Sequence, residues 1–248
     1  MKAVGIIPAR FASTRFPGKP LTLIHGKSMI ERVYRRAMEA RSLVSVVVAT
    51  DDSRIYDHVA AFGGSVVMTD PGHQSGTDRC AEVVEGLGGD FDVVVNVQGD
   101  EPYIHPGQID LVTGCFANSG TQISTLVKQI THESDLDNVN IPKVVMAAGG
   151  KALYFSRSLV PYSKPHERVE MMRNGVYFKH IGIYGYRASV LPVLAGLSRG
   201  KLEISESLEQ LRWLENGYSI YAAISDHDNF AVDVPQDVAM IEARFPAD

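Results

Sequence analysis

From residue 3 to residue 116 the chain alternates short apolar runs with amphipathic ones, and that alternation constrains its fold more than any other feature. Ala3 to Pro8 is an apolar run suited to a buried parallel strand. Ser28, with Glu31 three residues on, has the spacing of a capping box, and Met29, Val33 and Ala37 then share one helix face. Val44 to Ala49 reads as a second buried strand. Asp51-Asp52-Ser53 offers cap residues to a helix carrying Ile55, Val59 and Phe62, which Gly63-Gly64 ends. Ser65 to Met68 is strand-like, Thr77 to Leu87 a helix with Thr77 as its cap, Phe91 to Val97 a strand, and Pro106 to Phe116 a helix opened by proline. Four β-α pairs in succession predict a doubly wound, mostly parallel α/β sheet with helices on both faces. Such sheets bind ligands beyond the carboxyl ends of their strands, which directs attention to residues 8–19, 50–52, 69–79 and 97–102.

The second half is less regular. Val144 to Ala148 and Ala152 to Phe155 flank Gly149-Gly150 as a hairpin, and residues 156–176 read as a long excursion. Tyr177 to Tyr186 is a strand. Ile204, Leu208 and Leu211 mark one helix ending near Gly217, followed by a strand from Tyr218 to Ile224 and a last helix opened by Pro235. No linker divides the chain, so residues 1–248 read as a single domain with an inserted β-rich lobe over about 150–220. A chain of 248 residues buries roughly 70–75% of its unfolded surface and needs no staple. Its two cysteines, Cys80 and Cys115, form no C-x-x-C pair, which excludes a zinc ribbon or a thioredoxin-type redox site. No apolar run approaches the ~18 residues of a membrane span, and Pro8 and Arg10 interrupt any signal-peptide core, so the expectation is a cytoplasmic protein without a membrane partner.

A net charge of -5 argues against a nucleic-acid partner, but the charges are unevenly placed. Lys2, Arg10, Arg15, Lys19 and Lys27 all precede the first acidic residue, Glu31. The segment Pro8-Ala-Arg-Phe-Ala-Ser-Thr-Arg-Phe-Pro-Gly-Lys-Pro20 follows the first strand directly, and its guanidinium and ammonium groups suit a polyphosphate better than a solvated loop. Neither G-x-G-x-x-G nor G-x-x-x-x-G-K-[ST] occurs, which disfavours a dinucleotide fold or a P-loop. Asn96-Val-Gln-Gly-Asp-Glu-Pro102 places Asp100 at the mouth of the sheet, as a divalent-metal ligand or as a turn residue in equal measure. Asp233 and Asp237 flank the start of the last helix: Asp237 suits the first helical turn, whereas Asp233 lies outside it as a candidate second metal ligand. On a strand, His180, Gly182 and Tyr184 share one face, a polar and aromatic surface sized for a sugar. No nucleophile motif appears.

In this order the segments closely resemble the cytidylyltransferases that activate 3-deoxy-D-manno-octulosonate (Kdo), the CMP-Kdo synthetase family. The resemblance runs through Ile7–Leu21, Ala49-Thr-Asp51, His73–Arg79, Asn96–Pro102, Ala152-Leu-Tyr-Phe-Ser-Arg157, His180-Ile-Gly-Ile-Tyr-Gly-Tyr-Arg187, Leu208-Glu-Gln-Leu-Arg212 and Val232-Asp-Val-Pro235, from residue 4 to about 240. It implies a nucleotide-diphospho-sugar transferase type of fold, a sugar-binding and dimerisation lobe over about 150–220, a homodimer, Mg²⁺ as cofactor and a place in lipopolysaccharide biosynthesis. It implies that Arg10, Ser13, Arg15 and Lys19 meet the CTP triphosphate, with Arg10, Arg15, Lys19 and Asp100 as the catalytic set. Ser75, Gly76 and Gln98 would border the nucleotide, and Gln98 the sugar as well. Arg157 (toward the carboxylate), His180, Tyr184, Glu209 and Gln210 would read Kdo, and Asp100 and Asp233 would hold Mg²⁺. Departures from the family pattern are Phe16, Tyr162 and Asp78, the last where a longer Glu is common. The alternatives are the same chemistry on 8-amino-Kdo or another 2-keto acid sugar, and a catalytically silent nucleotide-binding regulator. The regulator predicts loss of the loop cations or the metal carboxylates, all of which are present.

Overall fold

The computed structural model describes residues 1–12, 15–88 and 90–246. The strands are β1 (Ala3–Ala9), β2 (Leu23–Ile24), β3 (Lys27–Ser28), β4 (Leu43–Thr50), β5 (Val66–Met68), β6 (Val93–Asn96), β7 (Ile123–Gln129), β8 (Lys143–Met146), β9 (Ala152–Ser156), β10 (Phe178–Arg187) and β11 (Ile220–Ile224). The helices are α1 (Met29–Met38), α2 (Ser53–Ala61), α3 (Gly76–Gly86), α4 (Pro106–Gly114), α5 (Arg168–Arg173), α6 (Leu191–Ala195), α7 (Lys201–Glu206), α8 (Gln210–Glu215) and α9 (Pro235–Arg244). No helix among the described residues is long and apolar enough to cross a membrane.

One sheet runs in the order β11-β7-β10-β6-β1-β4-β5, with the β8–β9 hairpin attached through β10. The first half is parallel as expected: β1 pairs with β4 and β6, and β4 with β5. Strand β10 then enters antiparallel between β6 and β7, and β11 returns parallel to β7. Strands β9 and β10, from the region expected to form a β-rich lobe, belong to this same sheet, as does β8 just ahead of it. The two-residue period of each strand sorts its side chains between two cores. Val4 and Ile6 of β1 meet α3, α6 and α8, whereas Ala3 and Ile7 meet α1, α2 and α4.

Several local expectations are corrected. Ser28 does cap α1 by accepting from the Glu31 N–H at 3.2 Å, but the Glu31 carboxylate turns to Arg35 at 2.8 Å, so half of the box serves an ion pair instead. Ser75, not Thr77, caps α3: its hydroxyl accepts from Asp78 N while Asp78 accepts from Ser75 N and Gln74 N. The helix expected through Ile204, Leu208 and Leu211 is two helices, α7 and α8, parted at Ser207, which sits in the left-handed region at φ 53°. Ile204 therefore faces solvent while Leu208 and Leu211 are buried. Strand β7 escaped the sequence pattern because Ser124 and Thr125 interrupt its apolar run. Both are fully buried, and their hydroxyls donate to Val112 O and Ile183 O.

The sheet is tight where β10 crosses β7. A Cβ on Gly185 would lie 2.6 Å from Ser124 Oγ and 2.7 Å from Val112 Cγ1. Gly185→Ala should therefore cost about 1–3 kcal/mol by overpacking. A urea midpoint equal to that of the parent protein would show that this crossing has slack.

Candidate functional site

Three cavities meet beyond the carboxyl ends of β1 and β6, the place a parallel sheet offers a ligand. The first, about 250 Å³, is walled by Arg10, Arg15, Lys19, Ser75, Gly76, Gln98 and Asp100, with His73 and Arg79 beside them. The second, about 160 Å³, is lined by Thr77, Asn96, Tyr184, Tyr186 and Glu209, and it shares Pro8, Gly76, Gln98 and Gly99 with the first. The third, about 640 Å³, is reached through Gln74 and Ser75 and takes in Asp78, Glu203, Ser207, Glu209 and Arg212. The floor common to the first two is backbone at close quarters: a Cβ on Gly99 would meet Pro8 O at 2.8 Å.

Lys19 ties the first cavity together. Its ammonium donates to Asp100 Oδ2 and to Val232 O, each at 2.8 Å. Val232 N in turn donates to Asp100 O at 2.9 Å, which brings Asp233 alongside, where it pairs with Arg15 at 3.1 Å. Of the two carboxylates expected to hold a metal, Asp100 lines this cavity and Asp233 does not, and each pairs with a loop cation. Asp237 has the structural role expected of it, because its carboxylate accepts from Asp233 N and Val234 N at the start of α9. Among the described residues, no group of three or more His, Cys, Asp or Glu converges on a metal position. Two hard oxygen donors nevertheless suit Mg²⁺, which keeps water and substrate oxygens in its shell.

On the far side, β10 supplies a wall of rings. His180 contacts Thr125 Oγ1 through Nε2 at 3.0 Å and lies edge to face with Phe155 and tilted against Tyr184, centroids 5.3 Å apart in both cases. Burial pushes its imidazole down to about 3, so it is neutral throughout the physiological range. Burial likewise raises the Tyr184 and Tyr186 phenols well above the usual range. Glu209 is raised by burial, with the Thr77 hydroxyl and Arg212 pulling the other way. Tyr184 Oη, Glu209 Oε1 and Gln210 Nε2 are buried without a hydrogen-bond partner among the described residues. Of these, Tyr184 and Glu209 line the second cavity while Gln210 lines none of the three, and unsatisfied polar atoms at a cavity wall are what a polyhydroxylated ligand would complete.

Most of the expected site residues converge here. Ser13 lies outside the described residues. His180, Gln210 and Asp233 are absent from the walls of all three cavities, and so is Arg157. Its guanidinium donates to Glu206 O, Val139 O and Ser207 O, leaving two of its five N–H groups uncommitted. Asp78 spends Oδ2 on the cap, which needs only the shorter side chain, and borders the third cavity as well. Sequence reasoning assigned no role to Arg79, buried and bound to Asp51 Oδ2 at 2.9 Å and to the Thr69 hydroxyl. A lone basic residue inside a helix gave no signal of this, although Asp51 and Thr69 both sit at strand ends marked for attention.

A neutral His180 also has a consequence for stability. An exposed histidine titrates near 6.5, so between that value and about 3 the unfolded chain binds a proton that the folded protein refuses. Its contribution is complete above pH 6.5 and is lost as pH falls. His180→Gln should flatten the decline of Tm from pH 7 to pH 4; an unchanged slope would place the acid sensitivity elsewhere.

Known proteins resemble the chain over nearly its whole length. The sequence pattern of the cytidylyltransferase family matches residues 4–220. A 3-deoxy-manno-octulosonate cytidylyltransferase of Bacteroides thetaiotaomicron is 52% identical over 98% of this chain and 97% of its own length. An 8-amino-3,8-dideoxy-manno-octulosonate cytidylyltransferase of Shewanella woodyi is 45% identical over the whole of both chains. Among solved structures, a CMP:2-keto-3-deoxy-manno-octonic acid synthetase complexed with CTP superposes with a TM-score of 0.90, at 39% identity and 98% coverage of each chain. A 4-diphosphocytidyl-2C-methyl-D-erythritol synthase from Anaerococcus prevotii, only 10% identical over 98% of each chain, shares the fold with a TM-score of 0.63.

Proposed function

From the premise that the chain belongs to the cytidylyltransferase family, we propose how its residues divide the work of joining CMP to Kdo. The enzyme transfers CMP from CTP to the sugar. The anomeric hydroxyl attacks the α-phosphorus, a new O–P bond forms as the bond to the β-phosphate oxygen breaks, and pyrophosphate leaves. The observation that carries this division is that the two cavities meet over one floor, Pro8, Gly76, Gln98 and Gly99. The cationic cavity receives the triphosphate, and the ring-walled one receives the sugar.

In this reading Arg10, Arg15 and Lys19 offset the charge that accumulates on the phosphates, a preorganised electrostatic contribution rather than covalent catalysis. Ser75 and Gly76 border the nucleotide where α3 begins, and Gln98 stands between nucleotide and sugar. Neutral His180 and Tyr184, together with Glu209 and Gln210, bind the sugar hydroxyls. Arg157 is assigned to the sugar carboxylate by the resemblance and by the two N–H groups its carbonyl contacts leave over, because the residue lines none of the three cavities. Asp100 and Asp233 are the residues that would hold Mg²⁺, which when bound would lower the pKa of the attacking hydroxyl. We place the enzyme in the cytoplasm, in lipopolysaccharide biosynthesis, as a homodimer that meets through the 150–220 region. Exposed Leu153, Tyr162 and Ile204 there support such a contact.

The direct test is pyrophosphate release from CTP with Kdo, with 8-amino-Kdo or with no sugar, each with and without EDTA. The 8-amino arm is warranted by the relative from Shewanella woodyi. Release with Kdo that EDTA suppresses is expected; release with 8-amino-Kdo alone would reassign the sugar, and release indifferent to EDTA would remove the metal. Lys19→Met should lower kcat by about 10²–10³, the usual scale for one transition-state charge contact. Asp100→Asn should abolish turnover in excess Mg²⁺. A well-folded Asp100→Asn enzyme of near-normal rate would take Asp100 out of the metal site.

A further inference from the structure

The break between α7 and α8 is not a loose joint. A non-glycine residue held at φ 53° persists only where its surroundings over-determine it, and Ser207 is gripped from both sides. On one side Arg212 donates Nε and Nη2 to the two oxygens of Glu203, each at 2.7 Å, and Arg212 Nη1 reaches Leu197 O. Both side chains of that pair are buried, 10% and 6% exposed. On the other side Glu206 accepts from Ser156 Oγ at 2.7 Å and from Arg157 N at 2.8 Å, which fastens the end of α7 to β9. Glu209 and Gln210 lie just past the turn, at the start of α8. Their polar atoms Oε1 and Nε2 are buried and unpartnered, and Glu209 faces Tyr184 across the smallest of the three cavities.

A buried ion pair is a poor device for stability, because desolvation offsets most of its attraction. Its best-attested use is to select one conformation among several. Had α7 continued straight through Ser207, the helical register would turn Glu209 and Gln210 away from their present directions, since each residue added to a helix rotates the next by a fixed angle.

We propose that Glu203, Arg212 and Glu206 are positioning residues for sugar recognition. Their two clasps hold the Ser207 turn, which sets the direction of Glu209 at the wall of the sugar cavity and of its neighbour Gln210. The proposal rests on the division of the site given above, in which Glu209 and Gln210 meet the sugar. It predicts an effect confined to one substrate, because the clasps touch none of the loop cations assigned to the triphosphate.

The test uses the full-length enzyme and Arg212→Lys, which keeps the charge but loses the two-pronged geometry. The KM for Kdo should rise about tenfold while the KM for CTP stays within about twofold, a loss of binding in one subsite. Trp213, the single tryptophan, lies edge-on to Tyr184 at 5.1 Å and gives an independent readout. Its fluorescence, titrated with Kdo, should show a midpoint shifted by the same factor, and its CTP titration should not shift. Glu206→Gln should reproduce the split. Should Arg212→Lys fail to fold, Glu203→Gln, which keeps the volume and one acceptor oxygen, takes its place. Parallel rises in both KM values, or no change in either, from a folded variant would overturn the proposal. Gln210→Ala separates the two layers of the argument. If it raises the KM for Kdo and the clasp variants do not, the clasps alone are refuted; if it leaves that KM unchanged, the sugar assignment falls and the clasps with it.

Discussion

The Lys19 ammonium is the interaction on which the site depends. It bridges a carboxylate at the end of β6 and a carbonyl just before α9, contacts that span 81 and 213 residues of sequence. One cation thus ties the segment carrying Asp100 to the segment carrying Asp233. An ammonium suits this place because it donates in several directions from a single point. Two of the loop cations are paired in the isolated chain, Arg15 with Asp233 and Lys19 with Asp100, and Arg10 adds a further positive charge at the same cavity. An incoming polyanion can therefore take the place of the carboxylates on the basic groups.

The opposite wall works by exclusion of charge. Strand β10 enters the sheet antiparallel and lines up His180, Tyr184 and Tyr186, whose rings pack against Phe155 and Trp213. Burial keeps the imidazole neutral and the phenols protonated. One half of the site is thus strongly charged and the other holds dipoles. That division suits a reaction in which a polyphosphate must be neutralised while a sugar must be oriented through its hydroxyls.

Much of this was legible before any coordinates. Apolar runs separated by capped amphipathic segments give away the parallel half, because there each strand is buried on both faces and each helix on one. The first loop was readable because three cations with no acidic neighbour are hard to explain otherwise. What stayed hidden depended on partners distant in sequence. Strand β7 looks polar until Ser124 and Thr125 are seen to spend their hydroxyls on neighbouring carbonyls. The α7–α8 break is invisible in a run whose leucines keep a helical spacing, because tertiary clasps, not Ser207 itself, impose the turn. Arg79 and the committed donors of Arg157 belong to the same class: their roles are set by residues many positions away.

The bridge from Lys19 to Val232 also orders events in time. Chains leave the ribosome amino end first, and the parallel strands β1, β4, β5 and β6 can associate as soon as they emerge. The basic loop is then present but has neither its carbonyl anchor nor the second carboxylate, which come more than two hundred residues later. A nascent chain therefore passes through a stage with the parallel half of its sheet in place and an unfinished, net-positive cleft. Competence arrives abruptly, when the segment ahead of the last helix is laid across the mouth of the sheet.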